Sequence, residues 1–91
     1  MAVTVKIPPQ LRSATGGAAA PQAAGGTVGE VLDALYAEHG ELRERIADDD
    51  GTIRRFVNVF LDGEDIRFLD DLDTSVPEGA ELTILPAVAG G

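Results

Sequence analysis

Cysteine is absent from the 91 residues, and this one gap excludes a disulfide framework, a thiolate metal site and a cysteine nucleophile together. Basic residues are scarce. Seven Lys and Arg stand against 16 Asp and Glu, a net charge of −9, which argues against nucleic acid as a partner, because such binding relies on cations that neutralise phosphates. Long apolar runs are missing as well, and the longest falls far short of the roughly 20 residues needed to span a bilayer. Met1 to Gln10 alternates apolar and polar residues and meets two prolines, unlike the basic start and long apolar middle of a signal peptide. A cytoplasmic location without membrane contact is expected.

The ingredients of most catalytic sites are also lacking. His39 is the only histidine; at the end of a helix it meets the negative pole of the dipole favourably and has no partner for acid-base work. Asp48-Asp49-Asp50-Gly51 lacks the later bidentate Glu of a calcium loop, so a solvated turn is expected there. Neither Gly16-Gly17 nor Gly25-Gly26 is followed by the Lys-Ser/Thr of a phosphate-cradling loop. With no nucleophile-base pair, the chain is expected to be no enzyme and to bind no metal or cofactor.

What is present is a folded composition: 44% of residues are hydrophobic, set in short blocks between turn signals, and 91 residues suffice for a single core. Val3, Val5 and Ile7 alternate as a first strand that Pro8-Pro9 ends. Leu11 to Gly26 is rich in Ala, Gly, Ser and Thr, which predicts a turn and a weak edge strand, because Pro21 cannot donate to a ladder. Thr27 and Glu30 form a capping box in which the hydroxyl accepts from a helix amide and the carboxylate reaches back to the Thr27 amide. Val28, Val31, Leu32, Leu35 and Tyr36 then lay down an amphipathic stripe. Gly40 stops this helix, and Glu41 to Ala47 adds a further helical turn carrying Leu42 and Ile46. Ile53 to Leu61 reads as a strong strand, Asp62-Gly63 as a hairpin turn and Asp65 to Phe68 as its return. Val76 to Gly79 makes a turn before a last strand with Leu82 and Ile84, ending at Pro86. The fold class expected is an α+β roll with the main helix covering one face of a mixed four- to five-stranded sheet.

Two features bear on function. Charge is uneven: Met1 to Gly26 holds no acid, whereas Asp62 to Glu81 carries Asp62, Glu64, Asp65, Asp70, Asp71, Asp73, Glu78 and Glu81 against the single Arg67. One reading of that acidic face is solubility; the other is guidance towards a basic partner. The second feature is the ending. After residues 1–86, the sequence runs as Ala87, Val88, Ala89, Gly90 and Gly91, with no charge or side-chain hydrogen bond to tether it. Extended from Pro86 onward, the segment reaches about 20 Å at about 3.3 Å per residue. Glycine without Cβ atoms passes between close walls, so the segment suits threading into the active site of another protein.

Val3-Thr4-Val5 with Ile7-Pro8, Thr27-Val28-Gly29, Arg55-Phe56-Val57-Asn58-Val59, Asp65-Ile66-Arg67-Phe68 and Leu85-Pro86-Ala87-Val88-Ala89-Gly90-Gly91 together resemble the ubiquitin-like sulfur carriers of the ThiS/MoaD superfamily. The likeness runs through nearly the whole chain and is strongest to the actinobacterial carriers that serve cysteine biosynthesis. It implies a ubiquitin-like β-grasp fold. It also implies that an E1-like adenylating enzyme uses ATP to activate the Gly91 carboxylate, which sulfide or persulfide sulfur converts to a thiocarboxylate. The sulfur acceptor implied is a pyridoxal-phosphate-dependent cysteine synthase or a thiazole-synthase-like enzyme making, for example, thiosugars. In the cysteine branch a JAMM-type metalloprotease regenerates Gly91. The small subunit of molybdopterin synthase and a covalent protein modifier are the alternatives within reach of the same resemblance. If Val57, Val59, Leu82 and Ile84 face the helix, Phe56, Asn58, Phe60, Thr83 and Leu85 lie on the other sheet face. Phe60 and Leu85 beside the tail then form an apolar docking patch, unless the Ser13 to Gly26 segment covers Phe60.

Overall fold

The structure, a computed structural model, describes residues 2–55 and 57–86. Among these residues, five strands form one sheet: β1 (Ala2–Lys6), β2 (Gln22–Ala24), β3 (Val57–Leu61), β4 (Glu64–Asp65) and β5 (Glu81–Pro86), in the order β2-β1-β5-β3-β4. β1 and β5 run parallel, with Val5 opposite Leu82, and the remaining pairs are antiparallel. Helices α1 (Val28–Glu38) and α2 (Gly40–Ile46) connect β2 to β3. This is the β-grasp roll expected from the sequence.

One face of the sheet is sealed by α1. Val28, Val31, Leu32 and Leu35 are buried and join Val3, Val5, Val57, Val59, Leu82 and Ile84 in a single core, so the period of 3.6 on the helix and of two on the strands converge on one layer. Tyr36, the fifth residue of the predicted stripe, is only half-buried at its margin. Burial, and secondarily the Asp33 carboxylate, pushes its phenol up to about 12, partly offset by Arg43. Leu42 and Ile46 of α2 complete the core.

The start of α1 departs from the expected capping box in one detail. The Glu30 amide donates to Thr27 Oγ1 at 3.2 Å, as the motif requires, but Glu30 Oε1 accepts from the Gly26 amide at 2.8 Å and not from Thr27. The segment crossing beneath is stitched to the same place, Val28 N donating to Thr74 O and Val76 N to Gly26 O. The edge strand β2 forms as expected, and Pro21 contributes an acceptor in place of its missing donor: Val5 N donates to Pro21 O at 2.9 Å. Before it, where a turn is expected, Pro9–Thr15 winds into a 3-10 segment; Pro9 opens it with a preset φ, and it buries Leu11, Ala14 and Thr15.

Two strand boundaries move. Among the described residues of the predicted Ile53 to Leu61, Val57–Leu61 joins the sheet and Ile53 to Arg55 do not, because Arg54 N donates to Ile46 O and Ile53 bridges Ala47, tying this stretch to the end of α2. The return from the hairpin is Glu64–Asp65 alone. Asp65 Oδ1 then accepts from Arg67 N at 2.9 Å and turns Ile66–Phe68 into a 3-10 turn. The hairpin tip is as predicted: Asp62 and Gly63 take φ of 48° and 90°, the pairing of left-handed residues that two-residue hairpins favour. The turn before β5 closes with Ala80 N on Pro77 O and Gly79 at a φ of 79°.

Candidate functional site

Because α1 covers one face, the opposite face of the sheet is what the domain offers to a partner. Asn58 and Phe60 project there from β3 and Thr83 and Leu85 from β5, alternating with the buried Val57, Val59, Leu82 and Ile84. The register sets Asn58 opposite Leu85 and Phe60 opposite Thr83, so Phe60 and Leu85 are diagonal neighbours, within reach of an aromatic side chain. Leu85 is 46% exposed and Phe60, Asn58 and Thr83 are half-buried. The segment from Ser13 to Gly26 is engaged elsewhere: Ala14 and Thr15 enter the core, its 3-10 portion packs on α2, and β2 extends the sheet at the β1 edge. Phe60 accordingly keeps part of its ring on the surface. Phe56, the fifth residue assigned to this patch, and Ala87 to Gly91 lie outside the described residues.

The patch sits where the last strand ends. Val57 is paired with Pro86, so the chain continues into its final five residues from the edge of this face. Beside it, at the C-terminal ends of the parallel pair β1 and β5, a hollow of about 280 Å³ is lined by Lys6, Arg12, Ala19, Ala20 and Leu85 among others. Arg12 Nε donates to Ile7 O at 3.1 Å, and Lys6 pairs with Glu81 at 3.6 Å. This cationic flank was not singled out from sequence, although the absence of any acid before residue 27 was its signal.

The discarded motifs are occupied structurally. Asp50 Oδ1 accepts from both the amide and the hydroxyl of Thr52, which holds its carboxyl below the usual range, and Asp48 pairs with Arg54 at 3.2 Å. Asp48 to Gly51 is thus a closed acidic turn. Among the described residues no group of three or more His, Asp or Glu is placed to hold a metal ion, and no helix is long and apolar enough to cross a membrane. Sequence reasoning also missed Phe68 and Leu69, which are 88% and 39% exposed; assigning Phe68 to a return strand hid the fact that it faces outward, and Leu69 falls outside every expected element.

Comparison with known proteins agrees with this geometry. The sulfur carrier protein CysO of Mycobacterium tuberculosis strain H37Rv is 45% identical over 93 residues, covering 100% of both chains. Small archaeal modifier protein 3 of Haloferax volcanii is 38% identical over 65 residues, covering 71% of this chain and 70% of that one. Among solved structures, a chain of the Amycolatopsis orientalis BexX/CysO complex superposes with a TM-score of 0.91 at 44% identity, covering 98% of this chain and 99% of that chain. The family model described as "ThiS family" matches residues 5–91, which takes in the end of β1, the other four strands, both helices and residues 87–91. The chain belongs to the ThiS family.

Proposed function

We propose that this chain is a sulfur carrier, a protein co-substrate whose reactive group is the Gly91 carboxylate and whose docking face is Phe60, Leu85, Asn58 and Phe56. The observation that carries the reading is the end of β5 at Pro86 beside an exposed apolar patch, with Ala87-Val88-Ala89-Gly90-Gly91 following in sequence. Such a segment offers a partner enzyme a backbone with no side chain larger than Val, while the body supplies recognition.

The chemistry follows from what a carboxylate lacks. Its oxygen is a poor leaving group, so an E1-like enzyme first lets a Gly91 oxygen attack the α-phosphorus of ATP, forming the acyl-adenylate as pyrophosphate leaves. Hydrosulfide then attacks the acyl carbon, AMP leaves, and a thiocarboxylate remains; an enzyme persulfide attacking in its place forms an acyl disulfide as AMP leaves, and a thiol reductant cleaves its S–S bond to release the same thiocarboxylate. A thioacid is ionised at neutral pH and presents a sulfur nucleophile on a protein handle. The chain has no cysteine to intercept its own activated end. The acceptor is a pyridoxal-phosphate-dependent cysteine synthase or a thiazole-synthase-like enzyme, with a JAMM-type metalloprotease restoring Gly91 in the first case; those cofactors belong to the partners. Intact mass after incubation with the activating enzyme, ATP and sulfide tests the proposal: exchange of one oxygen for one sulfur is expected, and an unchanged mass refutes it.

Likeness to an archaeal modifier protein favours one second reading, in which the same adenylate is passed to lysines of other proteins. That reading requires higher-mass conjugates that withstand reducing agents, whereas the carrier reading requires none.

A further inference from the structure

The surface best suited to a second contact lies at the opposite edge of the sheet from β2. Ile66 is buried to 1%, so it anchors the turn after β4, while Phe68 and Leu69 on the same turn point out at 88% and 39% exposure. A Phe ring left in water forfeits the free energy of burial, and adjacent exposed apolar side chains of this size mark an interaction site. Next to the turn is a hollow of about 350 Å³ with apolar walls from Ile53, Val59, Ile66 and Leu72. Val59 points to the helix side of the sheet, so this hollow and the Phe60–Leu85 patch are on different faces.

Charge states what kind of surface fits here. Asp70, Asp71 and Asp73 rim the hollow, and among the described residues none of the three has a Lys or Arg within ion-pair distance. Arg67, which also lines the hollow, donates to the carbonyls of Arg55 and Val57 at 2.9 and 2.8 Å. Three carboxylates against this one guanidinium leave the rim net negative.

We infer that the Phe68–Leu69 knob and its acidic-rimmed hollow form a second docking site, for a surface of the activating enzyme that receives the Phe68 ring in an apolar socket framed by Lys or Arg. The inference rests on the carrier reading above. Residues 87–91 carry only Ala, Val and Gly side chains, so an enzyme that cleaves ATP on this chain must identify it by its body, and a knob with complementary charge provides that discrimination before ATP is consumed.

The test is ATP–pyrophosphate exchange by the activating enzyme, with binding measured in parallel by calorimetry. Phe68→Ala is expected to raise KM for the carrier about tenfold at unchanged kcat, about 1.4 kcal/mol of binding, without lowering the melting temperature, since the ring packs against solvent. D70N/D71N/D73N is expected to raise KM about fivefold at low ionic strength, with the difference closing as salt screens the pair. E38Q/E41Q/E44Q removes the same charge from the exposed faces of α1 and α2 and is expected to leave KM unchanged. A wild-type KM for Phe68→Ala, or equal effects of the two triple variants, overturns the docking site alone. Wild-type protein that binds the enzyme and is never adenylated overturns the carrier reading alone, and absence of binding overturns both.

Discussion

A Cβ on Gly25 would sit 2.6 Å from the Val31 amide nitrogen and 2.8 Å from the Glu30 carbonyl carbon, both backbone atoms of α1 with no means of swinging aside. Gly25→Ala must therefore push the incoming chain away from the helix and loosen the Gly26–Glu30 bond beside it; a loss of about 1–3 kcal/mol is expected, read from the midpoint of urea denaturation. Tyr36 offers a second single-residue test, because it is the only tyrosine and there is no tryptophan, so absorbance near 295 nm follows its phenol alone. Its ionisation is expected near pH 12 in the native protein against about 10 when unfolded. A folded value above the unfolded one means stability is held below pH 10 and lost as pH rises towards 12. A native midpoint at 10 refutes the burial described for this ring.

Among the elements, Arg67 fills the gap left by the shortness of β4. β4 spans two residues, opposite Leu61 and Phe60, and beyond it the Arg67 guanidinium takes the carbonyls of Arg55 and Val57. Arg67→Leu is expected to destabilise the fold by about 1.5–3 kcal/mol, the scale of charged hydrogen bonds to backbone, and to speed amide exchange in β3 more than in β1. The same region marks the limit of what could be read from sequence. The Asp62-Gly63 tip, the α1 stripe and the alternation in β5 were legible because each is set by local dihedrals or by a period against one core. The start of β3 was not, since the β-branched Ile53 reads as strand but it bridges Ala47, and the Arg54 amide donates to Ile46 O at the end of α2, tertiary contacts that propensity does not register. The open-face patch followed from period two once Val57 and Leu82 were assigned inward. Phe68 and Leu69 stayed hidden because exposure on a turn has no periodic signature.

For the molecule as a whole, the core is complete at Ile84, and the described sheet ends at Pro86. Deleting Gly90 and Gly91 is accordingly expected to leave the melting temperature within about 1 °C, given the 4–8 °C per kcal/mol typical of this size, while abolishing thiocarboxylate formation seen by mass. A large drop in melting temperature would assign those glycines to the fold instead. The net charge of −9 adds a global expectation: association with a basic partner slows as ionic strength rises. The placement of β5 between β1 and β3 has a further outcome for biosynthesis. Until residues 81–86 have left the ribosome, the first strand and the hairpin of residues 57–65 have nothing joining them, so no partial product assembles this sheet. A product truncated before residue 81 is therefore expected to lack the sheet altogether.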